Sequence, residues 1–131
     1  MTKKEKDLLL KDLCARLPYG VKCQIKEFGE KFFTLKSINI DYENGHLLTF
    51  EEKINGLPVE VYLSEVKPCL FPVSSISEEQ RKEMQFLMVQ DVYGILYHTI
   101  ESYNYFNKNH LDTHGLILMG LGINCTNLNI Y

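Results

Sequence analysis

The sequence predicts an α+β fold, and three observations carry that expectation. After a first helical stretch, apolar residues recur mostly with period two up to the elbow, as half-buried strands require, and with a period near 3.6 after it, as amphipathic helices require. Between these halves, residues 59–80 form an elbow containing Pro68 and Pro72, which cannot donate to a sheet ladder and hold their neighbours extended. Asn44-Gly45 and Asn55-Gly56 punctuate the first half as hairpin turns do. The expected architecture is an amino-terminal helix, a four-stranded antiparallel meander, two carboxy-terminal helices and an ordered apolar tail, in a single domain spanning residues 1–131.

Thr2 with Glu5 fits a capping box, so the first helix starts near Lys3. Leu9, Leu10, Leu13, Cys14 and Leu17 mark its inward side, Lys4, Lys11, Asp12 and Arg16 the opposite one, and Pro18 and Gly20 end it. Strict alternation from Val21 to Lys26 reads as the first strand. The second, from Lys31 to Tyr42, begins with Phe33 and Leu35 inward but continues with Ile38 and Ile40. That slip of phase predicts a β-bulge at Lys36 and Ser37. Asn44-Gly45 is read as a type I′ turn, followed by a third strand over residues 46–51. Asn55-Gly56 makes a second tight reversal, and residues 59–66 form a fourth strand with Val59, Val61 and Leu63 inward.

Leu70 and Phe71 are expected to pin the elbow to the core. Ser77 and Gln80 form a second capping box, and Glu78 and Glu79 complement the positive end of the helix that follows. Met84, Leu87, Met88, Val92, Ile95, Thr99, Ile100, Tyr103 and Phe106 trace one helical stripe, interrupted at Gln90, Asp91 and Gly94. The interruption predicts two helices, near 77–90 and 92–108, with Asp91 capping the second. Beyond them, Leu116, Ile117, Leu118, Leu121 and Ile123 alternate with Gly115, Gly120 and Gly122. Such a tail is too apolar to lie in water and is expected to wrap back over the core.

A hydrophobic content of 45% with 24% charged residues is that of a folding domain rather than a disordered chain. The net charge of −3 gives no general attraction to nucleic acid or anionic lipid. No secretory segment is recognised at the start, and no run approaches the ~20 apolar residues of a membrane span. The cysteines at 14, 23, 69 and 125 show no Cys-x-x-Cys pair, so they are expected to be reduced core thiols of a cytoplasmic protein.

Three blocks of the chain resemble a family of small uncharacterised proteins of gut anaerobic bacteria and of their phages and mobile elements. The blocks are Asp12-Leu-Cys-Ala-Arg-Leu-Pro-Tyr-Gly-Val-Lys22, Val66-Lys-Pro-Cys-Leu-Phe-Pro-Val-Ser-Ser75 leading into Ser77-Glu-Glu-Gln80, and Asp112-Thr-His-Gly-Leu-Ile117 through Asn127-Leu-Asn-Ile-Tyr131. The resemblance implies a genomic setting rather than an activity. Related sequences are expected to carry Asp-Tyr-Arg-Gly-Leu-Ile at the third block, so positions 113 and 114 depart from the pattern.

Chemistry is suggested most by His110-Leu-Asp-Thr-His114, where two imidazoles four residues apart, with Asp112 as ligand or orienter, would suit a metal. The competing reading, which is preferred, makes Asp112 a turn residue that accepts local backbone hydrogen bonds. A thiol nucleophile at Cys69 or Cys125 would need one of the histidines at 46, 98, 110 and 114, and a core or turn role is preferred there too. Lys22, Lys26 and Lys36 with Tyr62 would serve a sheet-surface nucleic-acid binder, but interspersed glutamates oppose it. Neither a phosphate-binding loop nor a dinucleotide fingerprint is present, and no cofactor is expected. Tyr93, Tyr97, Tyr103, Tyr105 and Phe106 crowd the expected last helix beyond what one inward face can hide. The favoured function is therefore a non-catalytic interaction or adaptor protein, with Tyr93, Tyr97 and Tyr105 on the surface that meets a protein partner or a second copy.

Overall fold

A computed structural model describes residues 1–131. The chain is α+β, with an amino-terminal helix, a mixed six-stranded sheet and two shorter helices. Helix α1 (Lys3–Arg16) opens where the Thr2 hydroxyl accepts the Glu5 amide, and it lays Leu9, Leu10 and Leu13 on the sheet. Strands β1 (Lys22–Ile25), β2 (Phe32–Asn39), β3 (Leu47–Ile54) and β4 (Leu57–Tyr62) are successive antiparallel neighbours. Their inward positions supply Cys23, Ile25, Phe33, Leu35, Leu48, Phe50, Val59 and Val61 to one continuous core. Lys36 is the extra residue of a bulge, because Leu35 pairs with Phe50 while Ser37 pairs with Thr49.

The meander is only part of the sheet. Strand β5 (Val66–Leu70) pairs antiparallel with β1, and β8 (Ile123–Asn124) pairs parallel with β5, giving the order β4-β3-β2-β1-β5-β8. The first part of the elbow, expected as a rigid crossing between Pro68 and Pro72, is thus itself a strand, with Pro68 opposite Cys23. The ladder to β8 begins only at Cys69, so few backbone bonds are demanded of the prolines.

One of the two expected turns differs, and the other agrees. Asn44-Gly45 does not form a two-residue type I′ hairpin, since only Gly45 has positive φ. The Asp41 carboxylate accepts the amides of Glu43 and Asn44, which winds a longer loop across residues 40–46. The turn with both central residues at positive φ is Asn55-Gly56, at 53° and 77°.

The largest revision lies after the elbow. Helix α2 (Glu78–Phe86) begins at the expected Ser77–Gln80 capping box but stops early, and α3 (Ile100–Lys108) begins eight residues later than expected, at a Thr99–Ser102 box. Between them stands a hairpin of two-residue strands, β6 (Val89–Gln90) and β7 (Leu96–Tyr97). Asp91 does not cap a helix. Its carboxylate holds the hairpin turn by accepting the Tyr93 and Ile95 amides and the Tyr97 hydroxyl.

The tail does return over the core, burying Leu111, Leu116 and Leu121. It is held by a bond absent from the sequence reading: Cys69 and Cys125 form a disulfide with Cα atoms 5.6 Å apart. The four cysteines are therefore not all reduced; Cys14 and Cys23 remain free. Two isolated cysteines 56 residues apart leave no spacing signature, and only the unforeseen β5–β8 pairing brings them together. No helix is long and apolar enough to cross a membrane.

Candidate functional site

Residues 86–103 form an arm whose apolar side chains face water. The Thr99 hydroxyl donates to the Leu87 carbonyl and closes the base of the hairpin, while the Tyr105 hydroxyl donates to the Gln80 carbonyl and the Glu83 carboxylate, tying α3 to α2. The hairpin projects beyond these ties. The middle of the expected inward stripe consequently points out, while Phe106 at its end stays buried: Val92 is 93% exposed and Ile100 77%, joined by Phe86 at 92% and Tyr93 at 86%. Ile95, Leu96, Tyr97 and Tyr103 add roughly half-exposed apolar area to the patch. Scattered exposed hydrophobics are ordinary, whereas here they are concentrated within residues 86–103.

The three tyrosines singled out from the sequence do not share a helix. Tyr93 sits at the hairpin tip and Tyr97 on β7, both exposed, whereas Tyr105 on α3 is half-buried and spends its hydroxyl inside the chain. Partial burial together with the Glu83 carboxylate pushes its phenol up to about 12. Only one charged residue, Asp91, lies between Phe86 and Ile100, and hydrogen bonds led by the Ile95 amide hold its carboxyl below the usual range.

The histidine stretch assembles differently from a metal site. His110 occupies the left-handed position after α3, at φ 56°, as the last helical turn closes with His110 N–H on the Asn107 carbonyl and Leu111 N–H on the Phe106 carbonyl. Its buried ring stacks on Tyr131 with centroids 3.7 Å apart. Asp112 accepts the amides of Leu116 and Ile117 at 2.8 and 3.0 Å, the turn role preferred from the sequence. His114 turns away to Asp12, Nδ1 lying 2.8 Å from Oδ1. The three candidates go to three separate partners, and no three His, Cys, Asp or Glu side chains gather to hold a metal.

Asp12 is fully buried, as is Arg16 one turn later, although both were expected on the side of α1 away from the core. Their side chains pair through Arg16 Nε at 2.8 Å and Nη2 at 3.1 Å, and Nη2 also donates to the Leu111 carbonyl. The tail covers this side of α1 and brings the partners that make burial tolerable. Burial, assisted by the Arg16 charge, pushes the His110 imidazole down to about 4, so this ring stays neutral. Nothing in the sequence near Asp12 announces the network, because its third and fourth members lie some 100 residues away.

Of the lysines singled out on the sheet surface, Lys22 does not stand free of acidic groups. Lys22 reaches the Thr34 hydroxyl, which itself donates to Glu52, so a carboxylate stands beside the lysine. Cys69 and Cys125 are consumed by their disulfide and cannot act as thiol nucleophiles in this state. Compared with known proteins, the chain matches no family model, no curated protein and no solved structure.

Proposed function

We propose that the protein is a non-catalytic interaction or adaptor protein that docks through the apolar arm of residues 86–103. The observation that carries this reading is the exposure of Phe86, Val92, Tyr93 and Ile100 on an element that contributes little to the core. A folded chain gains nothing internally from leaving such groups in water, and covering them is worth roughly 25 cal/mol per Å². Tyr93 and Tyr97 supply the amphipathic contacts enriched at protein interfaces, and Tyr105 is a positioning residue that seats α2 against α3.

Residues 78–108 carry five acidic and three basic side chains, which disfavours nucleic acid and anionic lipid as the occupant. The family resemblance adds a bacterial or phage mobile element as the origin. The Cys69–Cys125 bond favours an oxidising compartment over the cytoplasm expected from cysteine spacing.

Photo-crosslinking tests the reading. A benzophenone amino acid replaces Tyr93 in one variant and Tyr42, an equally exposed tyrosine on the loop between β2 and β3, in another. The probe at 93 is expected to yield a discrete protein adduct that the probe at 42 does not. Equal labelling from both positions, or none from 93, contradicts a docking role for the arm.

A further inference from the structure

We infer that the occupant of the arm is a second copy of this chain, joined about a two-fold axis by antiparallel pairing of β7 with its counterpart; this rests on the interaction reading above. The hairpin is a sheet of two strands only, so both strands are edges with nothing beside them. The Asp91 amide donates to the Ile95 carbonyl, and successive cross-strand pairs alternate between bonded and non-bonded, so the next pair, Gln90 with Leu96, is a non-bonded one. The N–H and C=O of Leu96 therefore face outward from the hairpin. Leu96 opposite Leu96 of a second copy exchanges both hydrogen bonds at once, an isologous contact that a two-fold axis satisfies without any other partner.

The side chains agree with this geometry. Phe86, Val92, Tyr93, Tyr97 and Ile100 expose on the order of 1,000 Å² per chain, comparable to what one partner contributes to a standard interface. Asp91 is the only charge in the hairpin and is satisfied within it, so two copies meet without like-charge repulsion. Closed pairing also buries two sheet edges that would otherwise invite open-ended aggregation.

The test is the solution mass by light scattering of the intact protein and of three single variants, Val92→Glu, Ile100→Glu and Leu96→Pro, each with circular dichroism to verify folding. Val92 and Ile100 are exposed enough that glutamate leaves the core intact, and Leu96→Pro deletes only the outward N–H. The expected result is twice the 15.3 kDa chain mass for the unaltered protein and the single chain mass for all three variants. A dimer that survives all three substitutions places the interface elsewhere and overturns the inference. A single-chain mass for the unaltered protein at high concentration overturns it as well, and a crosslink from position 93 to a different protein then leaves the interaction reading standing alone.

Discussion

Asp12 and Arg16 are polar residues that the helical pattern assigns to water, yet they are the most completely enclosed charges in the molecule. Removing one member of a buried pair leaves the other charge unpaired, so Arg16→Met is expected to cost about 3–5 kcal/mol in urea unfolding. The double replacement Asp12→Leu with Arg16→Met is expected to recover much of that loss, because two apolar side chains leave no stranded charge. Additive losses would contradict the pairing. His110 tests the same region by pH. Its folded pKa of about 4 lies below the ordinary 6.5, so the unfolded chain binds more protons between these values. Stability attributable to this ring is complete above pH 6.5 and falls by up to about 3 kcal/mol as pH drops toward 4. His110→Phe keeps the stack on Tyr131 and removes the titration, and its stability is expected to fall less than that of the unaltered protein over this interval. Parallel curves would assign the loss to other groups.

At the scale of elements, what is legible in the sequence depends on how long a pattern has in which to show itself. The bulge at Lys36 could be read because eight residues of β2 display the phase on both sides of the slip. The β6–β7 hairpin could not, because strands of two residues show no alternation, and its Val92 and Ile95 fall by spacing on the stripe of the flanking helices. Asp91 reads from sequence as a break, but a short carboxylate serves a helix start and a hairpin turn equally well, so the pattern alone does not separate a cap from a turn. In concentrated protein, where the unaltered hairpin is expected to be protected, Asp91→Ala is expected to melt it, visible as rapid amide exchange across residues 88–98, with little change in the unfolding midpoint of the sheet. Asp91→Asn keeps one acceptor oxygen and should fall between. Tyr105 governs the neighbouring contact. Its raised pKa means that this contact is intact below pH 10 and is lost as the phenol ionises near 12, so absorbance titration should show one tyrosine near 12 that vanishes in Tyr105→Phe. A titration near pH 12 that Tyr105→Phe leaves unchanged would contradict the bond to Glu83.

Across the whole molecule, the path of the tail was the least accessible feature from sequence, because it is set by long-range partners. That the tail would return could be argued from Leu116 and Leu121, but not that it would add a parallel strand, cover Asp12 and Arg16 and bond Cys125 to Cys69. Tyr131 completes the closure, its hydroxyl donating to the Cys69 carbonyl and accepting the Lys22 amide. The disulfide closes a loop whose ends are 56 residues apart, for which chain entropy gives about 4 kcal/mol. Thermal unfolding with a dithiol reductant should therefore occur well below the oxidised midpoint, and Cys125→Ser should reproduce the shift without reductant. An unchanged midpoint would mean that the sheet holds the tail without the bond.

On the proposed reading, a closed sheet body carries an apolar arm that a second copy of the chain covers. Amide hydrogen exchange read by mass spectrometry, on dilute and on concentrated protein, separates a covered arm from a free one. In dilute solution residues 88–98 should exchange quickly while β1, β2 and β5 remain protected, and at high concentration the hairpin alone should become slow. Strong protection of residues 88–98 even in dilute solution would show the arm to be part of the closed body, with no free face to dock.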